Sequence, residues 1–353
     1  GVVTYIVDAN NFYMQDPEGD NDHRTAEGIL VYKKAHGVQL GDLLKISGQV
    51  KEFVLDGYSD KQSTDLTMTE INVSEMTTIQ RGQALPKPVI LGVDRIPPTE
   101  KIDSDALTVF NPDTDGIDFY ESLEGMLVQL DSPKVVAPQE YGEVIVVPGN
   151  YQTNTAAGGL KYTQTDGNPE RISLLINDRN YVAKTGDYFA GNVTGVVSYG
   201  FSNYKVLTDK AKLPELKDGG TKREVTSIEA DQEKLTIASY NLENFSAESA
   251  DDKLTKLAEA IVTNLKSPDI IGLTEMQDND GAKDTGITDA AQSSEKLIGK
   301  INELGGPVYQ YTDIAPENNQ DGGAPGGNIR VGFLYKQDKI TLTSGKKSTA
   351  TEA

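Results

Sequence analysis

The sequence predicts a multidomain protein, two small all-β barrels followed by a mixed α/β unit. Three observations carry this. Short apolar runs alternating at period two, separated by Gly-rich turns, fill the first two thirds of the chain. Part of that pattern recurs about 145 residues later, a spacing of whole domains rather than of solenoid repeats. Beyond a polar junction near residues 217–233 the apolar period changes from two to 3.6.

In the first segment, 1–85, "VVTYIV", "NFYMQDP" and "GILVYK" read as three strands. "VQLGDLLKISGQVKEF" adds a strand after a Gly41-Asp42 turn, and "LTMTEINVSEM" adds a fifth. Five short strands with Gly-rich turns suit a small Greek-key barrel. Residues 86–121 begin with the Pro-rich "ALPKPVILGVDRIPPTEKIDSD" and read as a connection. Residues 122–216 carry "LEGMLVQLDSPKVV", "GEVIVVP", "RISLLIND" and "TGDYFAGNVTGVVSYGFSNYKVL", a second β domain. The closest echo sets "LGDLLKISGQVKEFVLDGYS" beside "TGDYFAGNVTGVVSYGFS": Gly-Asp, a large apolar residue, a further Gly, a β-branched strand, then an aromatic and Ser.

After the linker at 217–233, residues 234–353 start with a strand, "LTIASYN". "DDKLTKLAEAIVTNLKSP" places Leu254, Leu257, Ala258, Ile261, Val262 and Leu265 on one helical face, with Ser249 and Asp252 as a capping pair. "DIIGLTE" is the next strand. A second helix carries Leu297, Ile298, Ile301 and Leu304 and stops at Gly305-Gly306-Pro307. "VYQYTDI" and "NIRVGFLYK" are strands on either side of the loop "ENNQDGGAPGGN".

Composition narrows the chemistry. A formal net charge of -21 argues against a simple nucleic-acid-binding module, but not against an enzyme that recruits divalent cations to meet phosphate. The absence of cysteine removes disulfides, thiolate nucleophiles and cysteine-zinc sites. Both histidines, His23 and His36, fall in the first segment, so a histidine base is scarce elsewhere. No apolar run is long enough to span a bilayer. The chain starts at Gly1 without an initiator Met and ends on "SGKKSTATEA", which has no packing pattern; we expect a piece of a longer protein.

A strand–helix–strand unit crosses over right-handedly, so its two strands run parallel and end on the same sheet edge. Asn241 closes the first and Glu275 the second, at the edge where open α/β sheets bind ligands. An acid closing the buried run "IIGLT" is explained if that end is a site rim, where a hard cation suits a carboxylate. An Asn after a strand is also commonly a turn residue and a Glu there commonly solvated, so spacing alone leaves both readings open.

"IASYNLENF" followed by "DIIGLTEMQDN" resembles the opening of the endonuclease/exonuclease/phosphatase superfamily, the DNase I-like fold. "GNIRVGFLYK" is similar to a later strand of that family, and the upstream segments look like those of secreted bacterial extracellular nucleases, with OB-like barrels. The resemblance implies that Asn241 helps hold the scissile phosphate and that Glu275 binds Mg²⁺, with Mn²⁺ or Ca²⁺ as substitutes. Glu243 could reach the same cation or simply face solvent. The resemblance further implies DNA as substrate, cleavage of phosphodiesters and an extracellular or cell-surface location on a bacterium; it does not imply any particular protein partner. The chain departs from the family at Thr274, where Gln is usual. It also lacks the Gly-Asp-x-Asn and Ser-Asp-His elements of the second half, so 234–353 is expected to be the N-terminal half of the sandwich, inactive alone.

Two rivals stand beside this: a lipid or phosphoinositide phosphodiesterase on the same fold, and a non-catalytic β-barrel binding or adhesion module. Of the minor signals, "DPEGDND" and "DTDGID" have calcium-loop character without the full ligand spacing. "GGAPGGN" lacks the Lys-Ser/Thr of a phosphate loop. Tyr5, Tyr13 and Tyr32 could stack bases on a barrel face or simply pack.

Overall fold

The computed structural model describes residues 1–353 except 56, 60, 321, 344 and 346–353. It is mostly β-sheet, in several sheets with few helices, and divides into two compact units, Gly1–Thr221 and Lys222–Ala353. Among the described residues no helix is long and apolar enough to cross a membrane.

The first unit opens with Val2–Ile6 (β1), Asn11–Gln15 (β2), Gly28–Tyr32 (β3), Leu43–Phe53 (β4) and Met68–Gln80 (β5), which close into a barrel in the order β1-β2-β3-β5-β4. β3 and β5 run parallel and the other pairs antiparallel. Alternation turns Val3, Phe12, Met14, Val31 and Leu44 into its core.

Then come Val89–Ile90 (β6), a short helix Gly116–Glu121 (α1), Leu127–Leu130 (β7), Lys134–Glu140 (β8), Glu143–Val147 (β9), Ile172–Leu175 (β10), Tyr188–Phe189 (β11), Val193–Gly200 (β12), Asn203–Thr208 (β13) and Leu216–Lys217 (β14). They form one nine-stranded sheet, β14-β11-β8-β9-β10-β13-β12-β7-β6. Its centre, β8-β9-β10-β13-β12, repeats the strand order of the barrel, including a parallel third-to-fifth pair, β10 with β13.

The sequence echo has a structural counterpart. Asp42 accepts a hydrogen bond from the Gln39 amide, and Asp187 accepts one from the Lys184 amide, both at 3.0 Å through Oδ2. The glycine before each has positive φ, +79° at Gly41 and +94° at Gly186, where a side chain is strained. Each acid thus stabilises a tight turn by taking up an amide that its own backbone cannot satisfy.

The two β segments share a buried seam within the unit. Tyr13, Leu30 and Met68 of the barrel pack with Leu127, Val196 and Leu207 of the sheet. The Tyr13 hydroxyl donates to Ser198 Oγ at 2.8 Å, and Gln15 Oε1 accepts from the Leu127 amide at 2.8 Å. Glu124, also buried there, accepts from the Thr69 amide at 2.8 Å through Oε1, while its Oε2 is without a hydrogen-bond partner.

The second unit contains Ile237–Phe245 (β15), helix Asp251–Glu259 (α2) continued by a π turn over Ala260–Asn264, Ile270–Met276 (β16), helix Ala291–Glu303 (α3), Tyr309–Asp313 (β17) and Arg330–Lys336 (β18). The sheet order is β15-β16-β18-β17, with β15 and β16 parallel as the crossover requires. Leu254, Leu257, Ile261, Leu297 and Ile301 cover one sheet face through Ile271, Leu273 and Leu334. The expected Ser249 cap is not made: Ser249 Oγ accepts from the Ser246 amide at 3.0 Å, and Ala250 holds the N-cap position. A hydroxyl that closes its own turn is no longer free to cap the helix that follows.

Asp269 anchors the opposite ends of the two parallel strands. Fully buried, its carboxylate accepts from the Thr236 amide (2.9 Å) and from Lys336 (3.0 Å) and Lys339 (3.3 Å). Burial alone would raise its carboxyl, but these donors hold it well below the usual carboxylate range.

Candidate functional site

β15 and β16 stay in register from Ile237↔Ile270 to Asn241↔Thr274, then resume only at Phe245↔Met276. The extra residues on β15 make a bulge. Leu242 and Phe245 are fully buried, which turns Glu243 and Asn244 outward, both in the left-handed region (φ +54° and +58°). On the other side of β16 the ladder to β18 slips between Leu273↔Gly332 and Met276↔Arg330. Glu275 sits where both ladders break, with φ +57°. A non-glycine residue there carries strain of about 1–2 kcal/mol, held in place by buried Leu273 and Met276 on either side.

This backbone brings Asn241 and Glu275 together: Asn241 Nδ2 donates to Glu275 Oε1 at 2.7 Å. Asn241 Oδ1 accepts from the Glu243 amide at 2.6 Å, fixing the carboxamide orientation. Glu243 contributes its backbone, and its side chain is exposed. Lys253, from the first turn of α2, donates through Nζ to the Glu243 carbonyl. Buried Arg330 is committed elsewhere, to Asp313 at 3.2 Å and to the carbonyls of Thr288 and Asn328.

Behind the pair the chain enters a buried polar knot. Asp278 accepts from Asn328 Nδ2 at 2.8 Å and from the Asp280 amide at 3.2 Å. Burial, together with the neighbouring Asp280, pushes the Asp278 carboxyl up; a hydrogen bond from Thr285 holds Asp280 low. Asn328, itself at positive φ, also donates to the Ile287 carbonyl and Asn318, and accepts from the Asn319 amide. Asn319 in turn binds the Gly326 amide, so the Gly-rich loop is stitched down through its asparagines.

Among the described residues no three His, Asp or Glu side chains converge so as to hold a metal ion. What Glu275 offers is one carboxylate with Oε2 free of hydrogen bonds among the described residues, at a partly exposed strand end. Such a donor set fits a Mg²⁺-like ion that keeps most of its waters, and does not fit an all-protein calcium or zinc cage.

The other sequence candidates, the calcium-loop runs and the tyrosines, belong to the first unit. In "DPEGDND", Asp22 pairs with Arg24 and Asp20 accepts from Thr25; in "DTDGID", Asp115 accepts from Ser104 and Asp118 from the Asn111 amide. Tyr13 is buried and Tyr5 points its hydroxyl at the Thr208 carbonyl. Tyr32 is exposed and lines a cavity of about 630 Å³ with Asn11, Lys51 and Phe53. Neither Lys253 nor Asn328 takes a role from a functional motif of the sequence. The Gly-Gly-Asn run at 326–328, a composition that favours positive φ, was the available signal for the second.

One family model, a domain of unknown function (DUF8508), matches residues 90–218, the span from β6 to β14. No curated protein and no solved structure matches the chain.

Proposed function

We propose that the second unit is the first half of a DNase I-like, metal-dependent phosphodiesterase domain, and that the protein is a secreted bacterial nuclease acting on DNA. The single observation that carries this is the Asn241–Glu275 hydrogen bond at the adjoining ends of two parallel strands. A second supports the half-sandwich: the sheet face opposite α2 and α3 carries large apolar side chains that are exposed among the described residues, Ile237 70%, Val331 56% and Phe333 45%. Apolar sheet faces are normally buried against a second layer. The closed five-stranded barrel, with its first-second-third-fifth-fourth order and parallel third-to-fifth pair, supports an OB-like reading of the first segment. The same order in the second segment extends that reading, with β7 and β8 as two halves of one bent first strand.

In this account Asn241 spends one Nδ2 hydrogen on Glu275 and offers the other to a phosphoryl oxygen. Glu275 keeps Oε2 for a hydrated divalent ion, Mg²⁺ by preference and Mn²⁺ or Ca²⁺ as substitutes. Such an ion, when bound, draws charge from the phosphate as it builds in the transition state. The left-handed backbone at Glu275 falls where both ladders break, and the carboxylate there meets Asn241. The base that accepts a proton from water belongs to the second half; neither His23 nor His36 lies in the second unit.

A plasmid-nicking assay with Mg²⁺ or Mn²⁺ tests the proposal. The 353-residue chain is expected to be silent. A protein carrying the complete sandwich is expected to nick, with Glu275→Ala costing on the order of a thousandfold or more. Robust nicking by this chain overturns the half-sandwich; an unaffected variant overturns Glu275 as the ion's ligand.

A further inference from the structure

The positive charge in the second unit is largely committed to carboxylates. Lys256 pairs with Asp252, Lys266 with Glu229, Lys283 with Glu248, Lys336 with Asp269 and Arg330 with Asp313. In a chain of net charge -21 that is the expected fate of a cation. Lys253 departs from it, as do Lys222, Arg223 and Lys234 among the described residues, but of these four it is the one hydrogen-bonded to the bulge beside Asn241. Its ammonium donates to a neutral acceptor, the Glu243 carbonyl, and among the described residues no carboxylate forms an ion pair with it. An ammonium has three hydrogens and this contact uses one.

The position matters as much as the free charge. Lys253 reaches Glu243, the Glu243 amide reaches Asn241 Oδ1, and Asn241 Nδ2 reaches Glu275 Oε1, a continuous chain of hydrogen bonds. The bulge that orients Asn241 is therefore the same piece of backbone that holds the ammonium beside it. We infer that Lys253 is a substrate-binding residue that receives a phosphate of the phosphodiester next to the Asn241–Glu275 pair. The inference rests on the phosphodiesterase reading and adds a residue for which neither that reading nor the sequence pattern provided. Physically it supplies what the site otherwise lacks, a fixed positive charge where a polyanion must approach an acidic protein. A lysine that only braces the bulge would keep the same hydrogen bond without meeting the substrate, and the two roles differ in salt dependence.

The test is the affinity of the 353-residue chain for a short DNA duplex at fixed Mg²⁺ across a range of NaCl. Each lysine–phosphate contact contributes about one to the slope of log K against log salt. Lys253→Met is expected to lower the slope by about one and Lys253→Arg to restore it, with unfolding temperatures measured alongside. Binding by the unmodified chain with an unchanged slope in Lys253→Met overturns the inference and leaves the phosphodiesterase reading standing. A lowered unfolding temperature with an unchanged slope does the same and assigns Lys253 to bracing. No binding by the unmodified chain overturns the inference and leaves the phosphodiesterase reading to the nicking assay on the complete sandwich.

Discussion

Asn241 and Glu275, at the ends of adjacent parallel strands, are joined by a hydrogen bond of 2.7 Å from Nδ2 to Oε1. The contact depends on local irregularity on both sides: a bulge in β15 that lets the Glu243 amide lock the Asn241 carboxamide, and a left-handed residue at Glu275 itself. A regular ladder would have continued past both side chains. Strain of this kind persists only where the surrounding structure over-determines it, here through buried Leu273 and Met276.

Removing that strain should therefore stabilise the fold while destroying the site. Glu275→Gly accommodates φ +57° without a Cβ penalty and is expected to raise the stability of the second unit by about 0.5–1 kcal/mol. Glu275→Ala keeps the strain and should give no gain. Calorimetric unfolding of the two variants checks this; equal or lower stability for the glycine variant contradicts it.

The opposite ends of β15 and β16 depend on Asp269. Because its folded carboxyl lies below the ordinary value, its contribution is complete above the ordinary carboxylate range and is lost as pH falls through the folded value. Asp269→Asn is expected to cost about 2–3 kcal/mol near neutral pH and to flatten the acid limb of unfolding for the second unit. A stability curve parallel to that of the unmodified chain down to strongly acid pH would contradict it.

In the first unit the sign is reversed. Burial pushes the Glu124 carboxyl up to about 8, with Glu121 and Glu52 adding like charge. The folded state keeps the proton while the unfolded chain has already lost it, so stability falls as pH rises from the ordinary carboxylate range to about 8. One such proton gives a slope of about 1.4 kcal/mol per pH unit. Glu124→Gln preserves an acceptor for the Thr69 amide and should remove this slope. Melting temperatures at about pH 6 and about pH 9 check it, and identical pH dependence in the two proteins rules it out.

Much of this was legible in the sequence because period and turn chemistry act locally. The 3.6-residue spacing of Leu254, Leu257, Ala258 and Ile261 gave both the helix and its buried face, and hence the parallel strands that bring Asn241 to Glu275. The Gly-Asp pairs gave the paired turns. What was hidden depends on partners distant in the chain. β7 and β8 read as one strand because the break at residues 131–133 is a matter of pairing, each half taking a different neighbour. α1, six residues long with no side-chain cap at Asp115, left no periodic trace. The bulge at 242–244 and the reach of Lys253 follow from how Leu242 and Phe245 are buried, which no local pattern encodes.

Whether Glu275 holds a divalent ion beside Asn241 can be read most directly from a Mn²⁺ titration of the 353-residue chain followed by NMR line broadening. Paramagnetic broadening is expected to begin at the Asn241 side-chain amide and the backbone amides of Thr274, Glu275 and Met276, and to be abolished in Glu275→Gln. Broadening centred elsewhere, or undiminished in Glu275→Gln, would contradict an ion held by Glu275.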